Sequence, residues 1–206
     1  LNISGSTLWS KIRPRVRMLG GYAPTIDTSI AIATHGSVIA PSVSLHDRVF
    51  SDYPLSLALR TSATQLDLRV VPTLTIADTA VIEGNSGSQV MQVSVTLSAA
   101  TTQTVSFSYS TSPGTAISFN GGGNADYSNT LGSVSFLPGV VAQQIAVTIN
   151  GDALIEADEA FSIVAGDGQN SSALQNASFG NYRRFSNSSE GLVRNNDGPP
   201  GTRHLL

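Results

Sequence analysis

Carboxylate side chains are concentrated in the second half of the sequence. Residues 73–206 carry ten Asp and Glu against four Arg, whereas residues 1–72 carry four Asp against seven basic side chains. Asp152 and Glu156 flank one short segment, so both carboxylates could reach a single ion. Because a hard cation such as calcium takes six to eight oxygen ligands, this half of the chain favours cation binding. It disfavours nucleic acid, since that affinity depends on basic side chains that neutralise phosphates.

Catalytic motifs are poorly represented. His46 and Asp47 are adjacent, but neighbours on a strand point to opposite faces, and no G-x-S-x-G turn accompanies them. Glu156 and Glu159 as an acid pair for sugar hydrolysis would need a cleft lined by aromatic side chains, which make up only 6% of the chain. The triplet Gly121–Gly123 is followed by neither Lys nor a helical pattern, so it is no phosphate-binding loop. We therefore predict a protein that is not an enzyme.

The composition is that of a neutral, hydroxyl-rich globular chain. Of the 206 residues, 40% are hydrophobic and only 12% are charged, the net charge is −3, and 29 Ser and 18 Thr stand against a single Lys. This length makes one large or two small domains with a core of their own. No apolar run reaches the length of a membrane-spanning helix, and the absence of Cys excludes disulfides and thiolate metal sites.

Short alternating segments predict an all-β fold. Over residues 65–71 and 104–111, apolar residues alternate with polar ones, as in strands with one buried and one exposed face. Glycine-rich turns recur between such segments, which is typical of an antiparallel sandwich. One irregularity in the alternation over 89–97 predicts a β-bulge. The other predicted strands are 28–34, 37–45, 54–60, 73–77, 89–97, 132–136, 144–149 and 159–165.

Residues 11–17 are a basic run with strand periodicity, in which three Arg alternate with Ile, Pro and Val. The run fits an edge strand or an arm within residues 1–24 that could complete the sheet of a neighbouring molecule. A secretory n-region is the alternative, but no apolar stretch with a cleavage site follows the run cleanly.

Two polar segments are predicted to lie outside the strands. Residues 166–191 are rich in Asn and Ser and predict a long surface loop, and residues 199–206 predict a tail or linker. N-x-S/T triplets are glycan acceptors in a secreted chain, or chance matches in one so rich in Ser. Four such triplets begin at Asn2, Asn170, Asn176 and Asn187.

Seven stretches between residues 73 and 197 resemble, in order, the motifs of the Calx-beta domain, a module of sodium–calcium exchangers and of many bacterial surface proteins. They are TIAD with AVIEGNSG (75–87), VSVTLS (93–98), GTA (114–116), ADY (125–127), VSFLPG (134–139), GDALIEADEAF (151–161) and LVRNND (192–197). The resemblance implies an immunoglobulin-like antiparallel β-sandwich over residues 73–198. Residues 1–72 are not covered and are predicted to be an additional β-rich region.

The resemblance also implies a calcium site at one end of the sandwich. The sequence departs from the pattern of calcium-binding members: Pro113 stands where they often have an acid, and the terminal run NND has one carboxylate. Fewer carboxylates predict a weaker site, and acids that serve only as turn residues are the alternative. Asp158 and Asp167 are expected to be solvated loop acids. The implied ligand residues are Glu83, Asp152, Glu156, Glu159 and Asp197.

The same motifs predict backbone and core roles. Tyr127 and Phe161 are expected in the core, with the Tyr127 hydroxyl hydrogen-bonded. Positive φ angles are expected at the turn glycines Gly84, Gly87, Gly114 and Gly139.

These patterns together predict a non-enzymatic structural or adhesion protein, extracellular or at the cell surface, which calcium stabilises. Copies of itself or other surface proteins are the expected partners, with glycans as further candidates, and neither nucleic acid nor a membrane span is expected. One alternative is a calcium-binding regulatory module of a larger protein. Another is a carbohydrate-binding accessory domain, which would need an exposed aromatic platform. Candidates for that platform are Trp9, Tyr22, Tyr53 and Tyr182.

Overall fold

The computed structural model describes residues 15–16, 25–34, 50–51, 56–61, 65–118, 125–166, 174, 176–179 and 188–197. These residues contain β-strands and no helix long and apolar enough to cross a membrane. The strands are β1 (Arg15–Val16), β2 (Ser29–Thr34), β3 (Phe50–Ser51), β4 (Ser56–Thr61), β5 (Gln65–Val71), β6 (Thr73–Ile76), β7 (Thr79–Ile82), β8 (Ser88–Leu97), β9 (Val105–Pro113), β10 (Leu131–Phe136), β11 (Ala142–Asn150), β12 (Glu159–Ala165), β13 (Ser178–Phe179) and β14 (Ser188–Arg194).

Nine of these strands form the two sheets of an immunoglobulin-like sandwich. One sheet has the order β10-β9-β12-β14-β7 and the other the order β11-β8-β6-β13. All pairs are antiparallel except β7 with β14 and β6 with β13. Because β6 and β7 are consecutive but lie in opposite sheets, the chain crosses from one layer to the other at Ala77 and Asp78. The predicted all-β sandwich is confirmed.

The core lies between the two sheets and follows from the period-two alternation of their strands. In β8, Val93, Val95 and Leu97 are buried while the residues between them are exposed. The rings of Tyr127 and Phe161 are stacked with centroids 4.2 Å apart, and both are fully buried, which confirms their predicted place in the core. Burial raises the pKa of the Tyr127 hydroxyl, and hydrogen bonding with Ser118 and Thr111 opposes this rise.

Nine predicted strands are present with ends within two residues of the prediction; the predicted strand over 37–45 lies outside the described residues. The predicted bulge over 89–97 is wrong, because β8 pairs with β11 in unbroken register and Val90 simply faces outward, 53% exposed. A register shift occurs instead in β2, between Ala31 and Ala33.

The predicted long loop over 166–191 is wrong in part, because strand β13 and the start of β14 lie within it. Phe179 packs against the core and makes an edge-to-face contact with Phe107 at 6.5 Å between ring centroids. An apolar ring in this Ser-rich stretch therefore anchors it to the sandwich.

The region before the sandwich forms its own three-stranded antiparallel sheet, with the order β2-β5-β4. Asp27, at φ 70°, joins this sheet to the loop after β8. Its carboxylate accepts hydrogen bonds from Arg69 Nη2 (2.8 Å), Thr101 Oγ1 (2.8 Å) and the Thr102 backbone N (2.7 Å). Of the predicted arm, the described part is β1, whose backbone pairs in parallel with β3.

Three of the four turn glycines, Gly84, Gly87 and Gly139, have the predicted positive φ angles. Gly114 does not, so that prediction is wrong. The backbone oxygen of Ala160 approaches so closely that a Cβ at Gly114 would overlap it. Glycine is required there by the close approach of two chain segments.

Candidate metal centre

Loops from distant parts of the chain meet at one end of the sandwich, where β7, β11 and β14 finish and β12 begins. β7 and β14 are parallel and in register up to Ile82 and Arg194, so the segments that follow both strands emerge side by side. The loop from β11 to β12 and the segment before Tyr127 reach the same end. Six of the acidic residues that they carry form what we call the carboxylate cluster: Glu83, Asp126, Asp152, Glu156, Glu159 and Asp197.

Two groups of three residues within the cluster have carboxylate oxygens no more than 4.8 Å from one another. One consists of Glu83, Asp152 and Asp197, and the other of Glu83, Asp126 and Glu156. Glu83 belongs to both groups and stands at their centre. This spacing is short enough for the oxygens of one group to bind a single cation of calcium's size.

Glu83 is held in place by its backbone and by its side chain. Its backbone N donates to Arg194 O (3.1 Å), and its backbone O accepts from Gln89 Nε2 (2.7 Å). Its Oε1 accepts from Asn195 Nδ2 (3.0 Å). With only 5% of the residue exposed, the carboxylate is fixed at the base of the cluster.

Asp126 is a member of the cluster that the sequence did not suggest as a ligand. Its Oδ2 accepts a hydrogen bond from Ile117 N (2.6 Å), and its backbone O accepts one from Asn150 N (2.9 Å). The next residue, Tyr127, bridges to Ser118 and Ile149 and is fully buried. The available signal was a carboxylate directly before an aromatic residue expected in the core, since burial of the ring fixes the acid beside it.

Glu159, the first residue of β12, lies beside Asp126 but belongs to neither group of three. Burial, a hydrogen bond with Asp126 and the charges of Asp126, Glu156 and Glu83 all raise the pKa of Glu159. A hydrogen bond between two carboxyl groups needs a proton on one of them. The structure thus brings together all five residues implied by the resemblance, with Glu159 in a supporting position.

Burial, reinforced by mutual repulsion, raises the pKa values of several acids in the cluster. Burial, followed by the charges of Asp152, Glu156, Asp197 and Asp126, raises the pKa of Glu83 to about 7. The pKa of Glu156 is raised by burial and by Asp126 and Asp152. The ion pair of Arg69 with Asp27 lies elsewhere, and within the described residues no basic side chain forms an ion pair with an acid of the cluster. The carboxylates are therefore not neutralised by a basic side chain, and they favour either protons or a cation.

Asp197 supplies the test of fit for a cation. Its Oδ1 accepts a hydrogen bond from Asn85 Nδ2, but its Oδ2 is buried and has no hydrogen-bond partner within the described residues. A buried carboxylate oxygen without a partner is costly, and a cation between the acids would satisfy it. The residues present fit a hard, oxygen-bound ion.

Gly151 allows the loops of the cluster to approach each other. Its N donates to Gly87 O (2.9 Å). A Cβ at this position would overlap the backbone oxygen of Gly84 and stand 2.9 Å from that of Glu83. Glycine at position 151, directly before Asp152, is thus a steric requirement of the site.

Asn195 and Asn196, which follow β14, hold the loops of the site in position and add no charge to it. Asn195 donates to Glu83 and to Leu154 O (2.9 Å), while Asn196 accepts from Gly84 N (2.9 Å). They tie the segment after β14 to the segment after β7 and to the β11–β12 loop. Asp158 is exposed as expected and accepts from Asn195 N (3.2 Å); Asp167 lies outside the described residues.

Other predicted sites are less well placed. Asn176 is only partly exposed, its Nδ2 donates to Thr104 O (2.7 Å), and Ala177 after it is buried. That geometry disfavours a glycan at this triplet. The other three acceptor residues, Asn2, Asn170 and Asn187, lie outside the described residues, as do the four aromatic platform candidates and both residues of the His46–Asp47 pair.

Solved structures and a family model both show similarity to parts of the chain. Among solved structures, the chain is similar to the apo-form Calx CBD1 domain, with 19% identity over 62% of this chain and 99% of that chain (TM-score 0.46). It is also similar to the Calx CBD2 domain, with 15% identity over 61% of this chain and 86% of that chain (TM-score 0.44). No curated protein matches the chain. The family model described as "Calx-beta domain" matches residues 70–179.

Proposed function

The chain belongs to the Calx-beta domain family, whose model covers more than half of its 206 residues, and on that premise we propose that it is a non-catalytic module that binds calcium through the carboxylate cluster. The bound ion would tie the ends of β7, β11 and β14 to one another. Its function is then to make the structure of this end of the sandwich depend on calcium.

The members of the two groups of three acids are the residues that would hold the ion. Glu83, Asp152 and Asp197 form one set of oxygens, and Asp126 and Glu156 extend it from the other side of Glu83. Calcium, when bound, supplies positive charge that offsets the repulsion among these acids. Glu159 keeps a proton beside Asp126, and Asn195 holds the Glu83 carboxylate toward the cluster.

The single observation that carries this proposal is that, among the residues the structure describes, Asp197 Oδ2 is buried without a hydrogen-bond partner and no basic side chain pairs with the acids around it. Acids that served only as turn residues would direct their oxygens to backbone N–H groups or to solvent. Asp152 partly does so, because its Oδ1 accepts from Leu154 N (2.8 Å), but Asp197 Oδ2 does neither.

Thermal unfolding with calcium and with EGTA tests the proposal. A ligand at about 100 times its Kd stabilises the fold by about 2.7 kcal/mol, so calcium should raise the Tm of the parent chain. Asp197→Asn should lose most of this increase, whereas Asp158→Asn, which changes an exposed acid of the β11–β12 loop, should keep it. A parent Tm that millimolar calcium leaves unchanged would refute the proposal.

We further propose that the module serves a structural or adhesive assembly outside the cell. The hydroxyl-rich composition, with one Lys in 206 residues, supports this role. A domain whose loops a bound ion can hold together also suits it. Light scattering of the chain in calcium and in EGTA checks it. A particle larger than one chain in either condition is expected, and a monomer in both would contradict an assembly role.

A further inference from the structure

Strand β11 lies at the edge of its four-stranded sheet, and within the described residues no strand pairs with most of its outer side. Its nine residues, AQQIAVTIN, contain no charge and no proline. Its inner side pairs with β8 along its whole length, from Ala142 opposite Thr96 to Asn150 opposite Ser88. No bulge interrupts this pairing, so the other side of β11 is a regular template for a further strand.

Only the far end of that other side is covered. Asn150 N donates to Asp126 O and Ser128 N donates to Thr148 O, both at 2.9 Å. In an antiparallel strand alternate residues direct their backbone groups to the same side. The N–H and C=O groups of the even-numbered residues 142, 144 and 146 therefore point outward. Within the described residues no strand pairs with them.

Four of the other edges of the described sheets, β7, β13, β2 and β10, carry devices that discourage pairing with another chain. β7 has four residues with Asp78 and Glu83 on either side of them, and β13 has two residues. β2 is interrupted by its register shift. On β10, the outward Ser135 O is occupied by Gln143 Nε2 (2.9 Å). Strand β11 has none of these devices over residues 142–147.

We propose that β11 pairs in antiparallel fashion with β11 of a second copy of this chain, about a two-fold axis at Gln144. Pairing of identical strands fails where like charges meet, and β11 has no charges. The axis sets Gln144 against itself and Ala142 opposite Ala146 of the second copy. All three are exposed in the single chain, and two of them are too small to obstruct the approach.

The same register covers apolar surface. Val141, which directly precedes β11, is 41% exposed and comes opposite Val147 of the second copy, which is already buried in the core of that copy, so the surface covered here belongs to Val141. The two four-stranded sheets join into one continuous sheet of eight strands, an isologous interface that closes at two copies. This interface makes the proposed assembly role more specific, and it rests on that role only for the identity of the partner. It does not involve the carboxylate cluster.

Two variants of the full chain test the pairing. Gln144→Lys sets two positive charges against each other at the axis and should weaken dimerisation at least about tenfold. Thr96→Lys is the matched control, since it adds the same charge to an exposed position of β8, which is paired on both sides by Ala142 and Thr75. Sedimentation velocity over a concentration series measures both. The parent and the control should be dimers where Gln144→Lys is a monomer.

Cross-linking gives an independent readout. The parent has no Cys, so Gln144→Cys provides one thiol at the axis, where antiparallel neighbours approach to a Cα separation suited to a disulfide. Mild oxidation should give a covalent dimer, and Thr96→Cys should not. A monomeric parent, or a dimer that survives Gln144→Lys and does not cross-link, would overturn this interface. Larger particles insensitive to both variants would overturn it while leaving the assembly role in place.

Discussion

Replacing Glu83 by Gln separates two opposed effects of the Glu83 charge. The charge destabilises the ion-free fold, and it serves as a ligand when calcium is bound. Burial and the neighbouring acids raise the pKa of Glu83 from 4.5 to about 7. Between these pH values the unfolded chain releases its proton while the folded chain keeps it, so stability falls as pH rises through this window. At about 1.4 kcal/mol per pKa unit, ionised Glu83 destabilises the ion-free fold by up to about 3 kcal/mol above pH 7.

The variant removes this charge and retains an oxygen that can accept the hydrogen bond from Asn195. In EGTA at pH 8, Glu83→Gln should therefore be more stable than the parent by up to about 3 kcal/mol. At pH 4 the two should be equal, because Glu83 is then protonated in both states. In calcium the order should reverse, since the variant loses a ligand common to both groups of three acids. Urea unfolding across this pH range, with EGTA and with calcium, measures each difference.

The exposed Asp158 provides the control. It lies on the same loop as Asp152 and Glu156 but outside both groups of three, so Asp158→Asn should show neither the pH-dependent gain nor the loss in calcium. If Glu83→Gln proves less stable than the parent in EGTA at pH 8, or if the difference does not vary with pH, burial and repulsion of the Glu83 charge do not destabilise the ion-free fold.

Three further substitutions test the surrounding structure by urea unfolding. Gly151→Ala should cost about 1–3 kcal/mol and weaken calcium binding, because the added Cβ overlaps the Gly84 oxygen; unchanged calcium affinity would contradict the close approach. Asp27→Ala should cost about 2 kcal/mol near neutral pH by releasing the N-terminal sheet from the 101–102 loop, and a neutral effect would mean that this junction is not stabilising. Phe161→Ala should cost about 3–5 kcal/mol, because the ring stacks on Tyr127 in the core; a loss below 1 kcal/mol would be inconsistent with that burial.

Periodicity predicted the parts of the fold that depend on local sequence. β5 and β12 have the predicted ends to the residue, because alternation and flanking turn residues are both visible within a short window. β7 was not predicted. It has four residues, and its partner β14 lies more than 100 positions later, so its pairing depends on contacts that no local pattern contains.

The residues of the site likewise divide into those that local spacing associates and those that only the fold brings together. Asp152 and Glu156 could be associated from their spacing, whereas Glu83 and Asp197 came together only through the family resemblance. Asp126 was missed because its role follows from the burial of Tyr127, and burial of a particular ring is a property of the whole sandwich. The positioning role of Asn195 depends likewise on the segment after β7, which is 112 residues away from it in sequence.

The parallel pairing of β7 with β14 determines how the sandwich would carry a mechanical load. The chain enters β7 at Thr79 and leaves β14 at Arg194, which are at opposite ends of the ladder. Tension applied between the two sides of the domain therefore loads all the hydrogen bonds of this ladder in shear, together, instead of opening them one by one. Separation of the strands would also have to pull the segment after β14 away from Glu83. An ion bound in the carboxylate cluster would thus act as a clamp at the end of a shear-loaded ladder, and calcium would set the force that the domain withstands.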